Sequence, residues 1–110
     1  MESAGQDSLA EAMNRLWARF LPQLEERVAT LESAASALAQ GKLVPAQRQQ
    51  ASAVAHKLAG VLGTFGLDEG TNLARETELA YAGDHHADSA AAARLSQIAS
   101  QLRAMLAARK

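Results

Sequence analysis

The chain has no cysteine, which excludes disulfides and thiolate metal sites. It has only two prolines, few aromatic residues and few β-branched ones, against abundant alanine. That balance disfavours strands and favours helices, so the expected class is all-α. No apolar run approaches the roughly 18 residues of a membrane span. The start, Met1-Glu2-Ser3, lacks the basic and apolar regions of a signal peptide. Neither sign of charge dominates: 11 Lys and Arg stand against 12 Asp and Glu, a net charge of −1. The basic residues are scattered, so no nucleic-acid footprint is present. The expectation is a cytoplasmic protein that engages neither nucleic acid nor membrane. Its 110 residues suit one domain with a modest core, spanning 1–110, with the polar residues 1–7 loose.

What the chain does have is helical periodicity. Ser8-Leu9-Ala10-Glu11 matches a capping box. A row then runs Leu9, Met13, Leu16, Phe20, Leu24, Val28, Leu31, Ala35 and Leu38, with Trp17 and Leu21 beside it, and closes at Gly41. Pro22 interrupts the row, at a cost of about 3 kcal/mol inside a helix. A second helix is expected over 45–65, with Pro45 in its first turn and Gly66 closing it. A third covers 67–82, with Leu67, Leu73, Ala74, Thr77 and Tyr81 inward. Gly83-Asp84-His85-His86 reads as a polar turn. The last helix covers 87–108, with Leu95, Ile98, Leu102, Met105 and Leu106 inward. Short connections between helices of similar length imply antiparallel neighbours, hence an up-down-up-down four-helix bundle. An unbroken first helix would be about 50 Å long against about 31 Å for the second. The expectation is therefore a break near Pro22, with residues 8–20 a separate N-terminal helix capping the bundle and the protein a monomer. The alternative is a long helix whose overhang pairs with a second copy.

One segment, residues 54–66, stands apart. Val54, Leu58, Val61, Leu62 and Phe65 form its apolar stripe. His56 falls roughly 175° from the middle of that stripe, so it points to solvent. Its face carries Gln49, Ser52, Ala53, Ala59, Gly60 and Gly63. A solvated helix face is ordinarily Lys, Glu, Arg and Gln, and each mid-helix glycine costs about 1 kcal/mol relative to alanine. A lone surface histidine is ordinarily just solvated, and glycines can serve close packing. Here the glycines lie opposite the stripe, which argues that small side chains keep the ring open to another molecule.

His56-Lys57-Leu58-Ala59-Gly60, followed by Leu62-Gly63-Thr64-Phe65-Gly66, resembles the signature of histidine-containing phosphotransfer (HPt) domains. That signature is a histidine, a hydrophobic residue two on, a glycine four on, and a small-residue run ending in glycine. It departs from many members at Ala59, where a second basic residue is common, leaving Lys57 as the basic neighbour within the motif. The resemblance implies that His56 accepts a phosphoryl group from the aspartate of a response-regulator receiver domain and returns it. It makes that receiver the partner, with a hybrid histidine kinase as a further one. The docking face would be Gln49, Ser52, Ala53, Ala59, Gly60, Gly63 and Thr64.

The residues are compatible with that chemistry. A neutral imidazole is nucleophilic through its ring lone pair. It can attack phosphorus to form a phosphoramidate. Lys57 can offset part of the phosphoryl charge. No carboxylate cluster is placed to hold Mg²⁺, so no cofactor is expected on this chain and the metal would come with the receiver. No phosphate loop or hydrolase triad is present, and the resemblance implies a covalent carrier rather than a kinase. His85-His86 is a poor metal pair, because adjacent residues rarely point at one ion. The solvated residues Asp68, Glu69, Glu76 and Glu78 read as the outer face of the third helix. The competing reading is a non-catalytic structural or dimerisation module from a larger signalling protein.

Overall fold

A computed structural model describes residues 2–82 and 89–109, with side chains placed for 8–82 and 90–109. Four helices follow one another: α1 (Glu2–Ala39), α2 (Pro45–Thr64), α3 (Asp68–Tyr81) and α4 (Ser89–Ala108). No strand occurs among the described residues. α2 packs most extensively on α3 and α1 on α4, with α1 against α2 and α3 against α4 closing the ring. This is the expected all-α antiparallel four-helix bundle.

The core follows from the apolar rows. Leu24, Val28, Leu31, Ala35 and Leu38 of α1 meet Leu58 and Leu62 of α2, Leu73 and Tyr81 of α3, and Leu95, Ile98, Leu102 and Leu106 of α4 in one buried cluster. Two glycines end helices where left-handed backbone is required. Gly41 has φ 69° and Gly66 φ 73°. At the first, Lys42 N donates to Ala37 O and Gly41 N to Leu38 O; at the second, Leu67 N donates to Leu62 O and Gly66 N to Gly63 O. Both are Schellman closures, which satisfy otherwise orphaned carbonyls. Pro45 opens α2 at its first positions.

A third glycine acts by proximity. A Cβ on Gly70 would stand 3.0 Å from Leu62 Cδ1 and 3.2 Å from Met105 Sδ. Here the tips of Leu62 from α2 and Met105 from α4 crowd α3, and a side chain would make them give by a few tenths of an ångström. Bidentate ion pairs tie the bundle from outside. Arg94 donates to both carboxylate oxygens of Glu76 at 2.7 and 2.9 Å, and Arg103 to both of Glu32 at 2.8 and 2.7 Å. The hydrogen bonds from these arginines hold both carboxyls below the usual carboxylate range. Their stabilisation is therefore present above the ordinary carboxylate pKa and is lost as acid carries the pH down through their lowered values. It is small, because the pairs are well exposed.

The N-terminal third departs from expectation. α1 does not break near Pro22, and residues 8–20 are not a separate capping helix; Pro22 lies inside one 38-residue helix. At about 1.5 Å per residue that helix is about 57 Å long, matching the 58 Å long axis of the molecule. Pro22 and Ala18 are both exposed, so water can meet the carbonyl that loses its N–H partner. The helix also begins ahead of Ser8, so Ser8 is interior rather than a cap, and helical backbone replaces a loose segment over residues 2–7. Trp17 is buried at 3% exposure, whereas Leu9, Leu16 and Phe20 are exposed. Trp17 meets Phe65 edge-on, with ring centroids 5.1 Å apart, and the Arg109 guanidinium lies 4.7 Å from the Trp17 ring centroid. The end of the bundle is thus closed by α1 running past it rather than folding over it. The expectation of a monomer rested on the break, and the unbroken helix removes that premise.

Pro22→Ala restores the N–H to the Ala18 carbonyl. We expect it to raise stability by about 2 kcal/mol, the helix gain less the loss of unfolded-chain restriction. A thermal melt reads this as a Tm rise on the order of 10 °C. A lowered Tm would show that the proline serves the helix rather than strains it.

Candidate phosphotransfer site

The site lies midway along α2, where that helix runs beside α3. The buried side of α2 is Ala51, Ala55, Leu58, Ala59 and Leu62, while Val54, Val61 and Phe65 are partly buried against the core. The buried sector is turned relative to the expected stripe because α2 packs on α3 as well as on α1. One residue expected on the open face of α2 is instead largely covered. Ala59 is 6% exposed, and the buried Thr71 hydroxyl reaches its carbonyl at 3.3 Å, so Ala59 belongs to the α2–α3 seam.

His56 stays outside, with 74% of its side chain exposed. Its Nδ1 lies 2.9 Å from Glu78 Oε2 on α3. A carboxylate only accepts, so Nδ1 carries the hydrogen in this contact, and in the neutral ring the lone pair is on Nε2. Such an exposed pair contributes little to stability; its consequence is a preference for the tautomer with the hydrogen on Nδ1 and for this ring direction. Ser52, half-buried, donates from Oγ to the Glu78 carbonyl at 3.3 Å. Ser52 therefore fastens the stretch of α3 that carries the carboxylate.

Two hollows flank the ring. The larger, about 790 Å³, is bordered by Gln49, Ser52, Ala53, His56, Lys57 and Glu78, among others. Tyr81 and Arg48 also line it, and burial pushes the Tyr81 phenol up to about 12, so it stays protonated. The smaller, about 350 Å³, is lined by His56, Ala59, Gly60, Arg75, Glu78 and Leu79. Gly63 and Thr64 are exposed but line neither hollow, and Thr64 bonds back to the Gly60 carbonyl at 3.1 Å. A Cβ on Gly60 would meet nothing within 4 Å, and one on Gly63 only Thr71 Oγ1 at an ordinary 3.5 Å. Packing therefore requires neither glycine, and both keep the approach to the ring low.

Two residues were not legible as site residues. Glu78 reads as part of a solvated face, and Arg75 carries no local mark. Each reaches the site only through the register of α3 on α2. Among the described residues no group of three His, Cys, Asp or Glu side chains is placed to hold a metal ion. His85 and His86 lie outside the described residues. Among the described residues, no helix is long and apolar enough to cross a membrane.

Among the described residues, the bundle thus presents one solvent-facing imidazole, His56, in a low-sided setting. Residues 15–109 match the Hpt domain family, and the chain belongs to it. Hpt domains perform histidine phosphotransfer in two-component phosphorelays and are carriers rather than kinases. The chain is also similar to Protein RcaC of Microchaete diplosiphon, with 38% identity over 76 residues, which is 69% of this chain and 12% of that protein. It thus spans a small part of that relative's length. No solved structure matches the chain with significance.

Proposed function

We propose that His56 is the phosphoryl acceptor and that it exchanges the group with the aspartate of a receiver domain. The observation that supports this best is the exposed ring held through Nδ1 by Glu78. In the forward step the Nε2 lone pair attacks the phosphorus of the partner's acyl phosphate. The N–P bond forms, the P–O bond to the aspartate breaks, and its electron pair returns to the carboxylate. The Nδ1 hydrogen remains on the ring against Glu78, which offsets the positive charge that develops there. Lys57, exposed beside the larger hollow, balances phosphoryl charge from one side. Mg²⁺ belongs to the receiver in this scheme. The test is incubation with a panel of labelled, phosphorylated receiver domains. Transfer to an acid-labile, base-stable adduct supports the reading; an acid-stable label, or none from any receiver, overturns it.

The docking face in this reading comprises Gln49, Ala53, Gly60, Gly63 and Thr64, all exposed, with Ser52 at its edge. Gly60→Arg tests it without disturbing the fold. The new side chain starts in open space, and arginine is the better helix former, so stability changes by about 1 kcal/mol or less. Transfer from a receiver should collapse. A normal transfer rate would place the interface elsewhere.

A further inference from the structure

The motif lacks a basic residue three positions after the histidine; that position is Ala59, 6% exposed in the α2–α3 seam at the border of the smaller hollow. A cation reaches the same side of the ring from the other helix. Arg75 of α3 lines the smaller hollow together with His56, Gly60 and Glu78. It stands one turn before Glu78, on the same face of α3. Among the described residues Arg75 makes no ion pair, unlike Arg94, held by Glu76, and Arg103, held by Glu32. Gly60 leaves the space between open, since a Cβ there would meet nothing.

We propose that Arg75 is the second phosphoryl-holding cation of this site, supplied by α3 in place of the absent one on α2. This rests on His56 being the acceptor. With the phosphoryl group on Nε2, the guanidinium crosses the gap at Gly60 and donates two N–H bonds to its oxygens. Lys57 faces the group from the opposite side. The planar fork of arginine matches a phosphoryl group in a way a lysine does not. Arg75 also lies beside Glu78 in the hollow, so it screens the carboxylate that orients the ring from the incoming negative charge. Leu79, 73% exposed and bordering the same hollow, gives the partner an apolar contact next to this cation.

The experiment uses the intact chain and phosphoramidate, a small P–N donor that needs no docking. The protein is phosphorylated, and the phosphohistidine ³¹P resonance is followed against pH. A neighbouring guanidinium favours the dianionic phosphoryl form, so Arg75→Ala should move the ³¹P titration midpoint upward. It should also lower the equilibrium yield of phosphohistidine against a phosphorylated receiver by about tenfold. Arg75→Lys should recover part of both effects. Circular dichroism should show both variants folded, since the side chain is exposed and unpaired. A merely structural role would not move the ³¹P midpoint. If the midpoint and yield of Arg75→Ala equal those of the parent protein, the proposal is overturned while the acceptor reading stands. If the parent protein takes no label at His56, the acceptor reading fails and the proposal with it.

Discussion

Replacing His56 with glutamine abolishes labelling by a phosphorylated receiver and leaves the melting temperature almost unchanged. The loss is essentially complete because the group is carried covalently, and glutamine offers no nucleophilic lone pair for the N–P bond. The fold survives because the ring is mostly exposed and its contact is one surface pair with Glu78, worth less than about 1 kcal/mol. Glutamine is also an adequate helix former. His85 and His86 remain in the variant and serve as internal controls for adventitious modification. Label that persists in His56→Gln, as judged by phosphopeptide mapping, would move the acceptor to another residue. The structural-module reading instead requires that neither the parent protein nor the variant takes a covalent phosphate, so a label that the parent takes and His56→Gln loses separates the two.

Trp17→Ala should be the most damaging single truncation for stability while leaving the chemistry in place. Trp17 is 3% exposed and joins three elements at one end of the bundle: its own α1, Phe65 just past the end of α2, and Arg109 just past the end of α4. Phe20 adds a second edge contact to Phe65, at 6.2 Å. Removing a buried tryptophan costs about 3–5 kcal/mol through lost transfer and the cavity left behind. That is a large share of the roughly 5–15 kcal/mol by which a domain is stable. Chemical denaturation reads it directly as a lowered midpoint. Phe65 lies nine residues beyond His56, roughly 14 Å along the helix. Transfer by the fraction still folded should accordingly proceed at the parent rate. A loss below about 1 kcal/mol would mean that α1 does not cover this end of the bundle in solution.

These two residues differ in how they could be found. His56 is conspicuous by local contrast: an imidazole with two glycines on a face that would ordinarily be charged. No tertiary knowledge is needed to see it, because exposure follows from the wheel. Trp17 is conspicuous only as an aromatic beside an apolar row. That it, rather than Leu16 or Phe20, is the buried member depends on which way a continuous α1 faces as it leaves the bundle. The helix-ending glycines were equally legible. Gly41 and Gly66 each follow an apolar helical row, and both adopt the left-handed backbone that such a stop requires. Gly70 was not, because what crowds it is the tip of Leu62 from another helix, 3.0 Å from where a Cβ would stand.

The local sequence thus determined the helical class, the bundle, the ends at Gly41 and Gly66, and the exposed histidine. Each follows from the periodicity or backbone preference of a few neighbouring residues. Packing alone decided three other matters. Pro22 sits within a continuous helix, because the freed carbonyl faces solvent while Trp17 is held against Phe65 and Arg109. Ala59 is buried, because α2 has two neighbours rather than one and its covered sector is wider than its large apolar side chains mark out. Glu78 and Arg75 come to His56, because the three-residue turn after Thr64 folds α3 back along α2 in a fixed register. A carboxylate and a guanidinium some twenty residues downstream carry no local sign of this. Only the antiparallel pairing of the two helices sets them beside the ring.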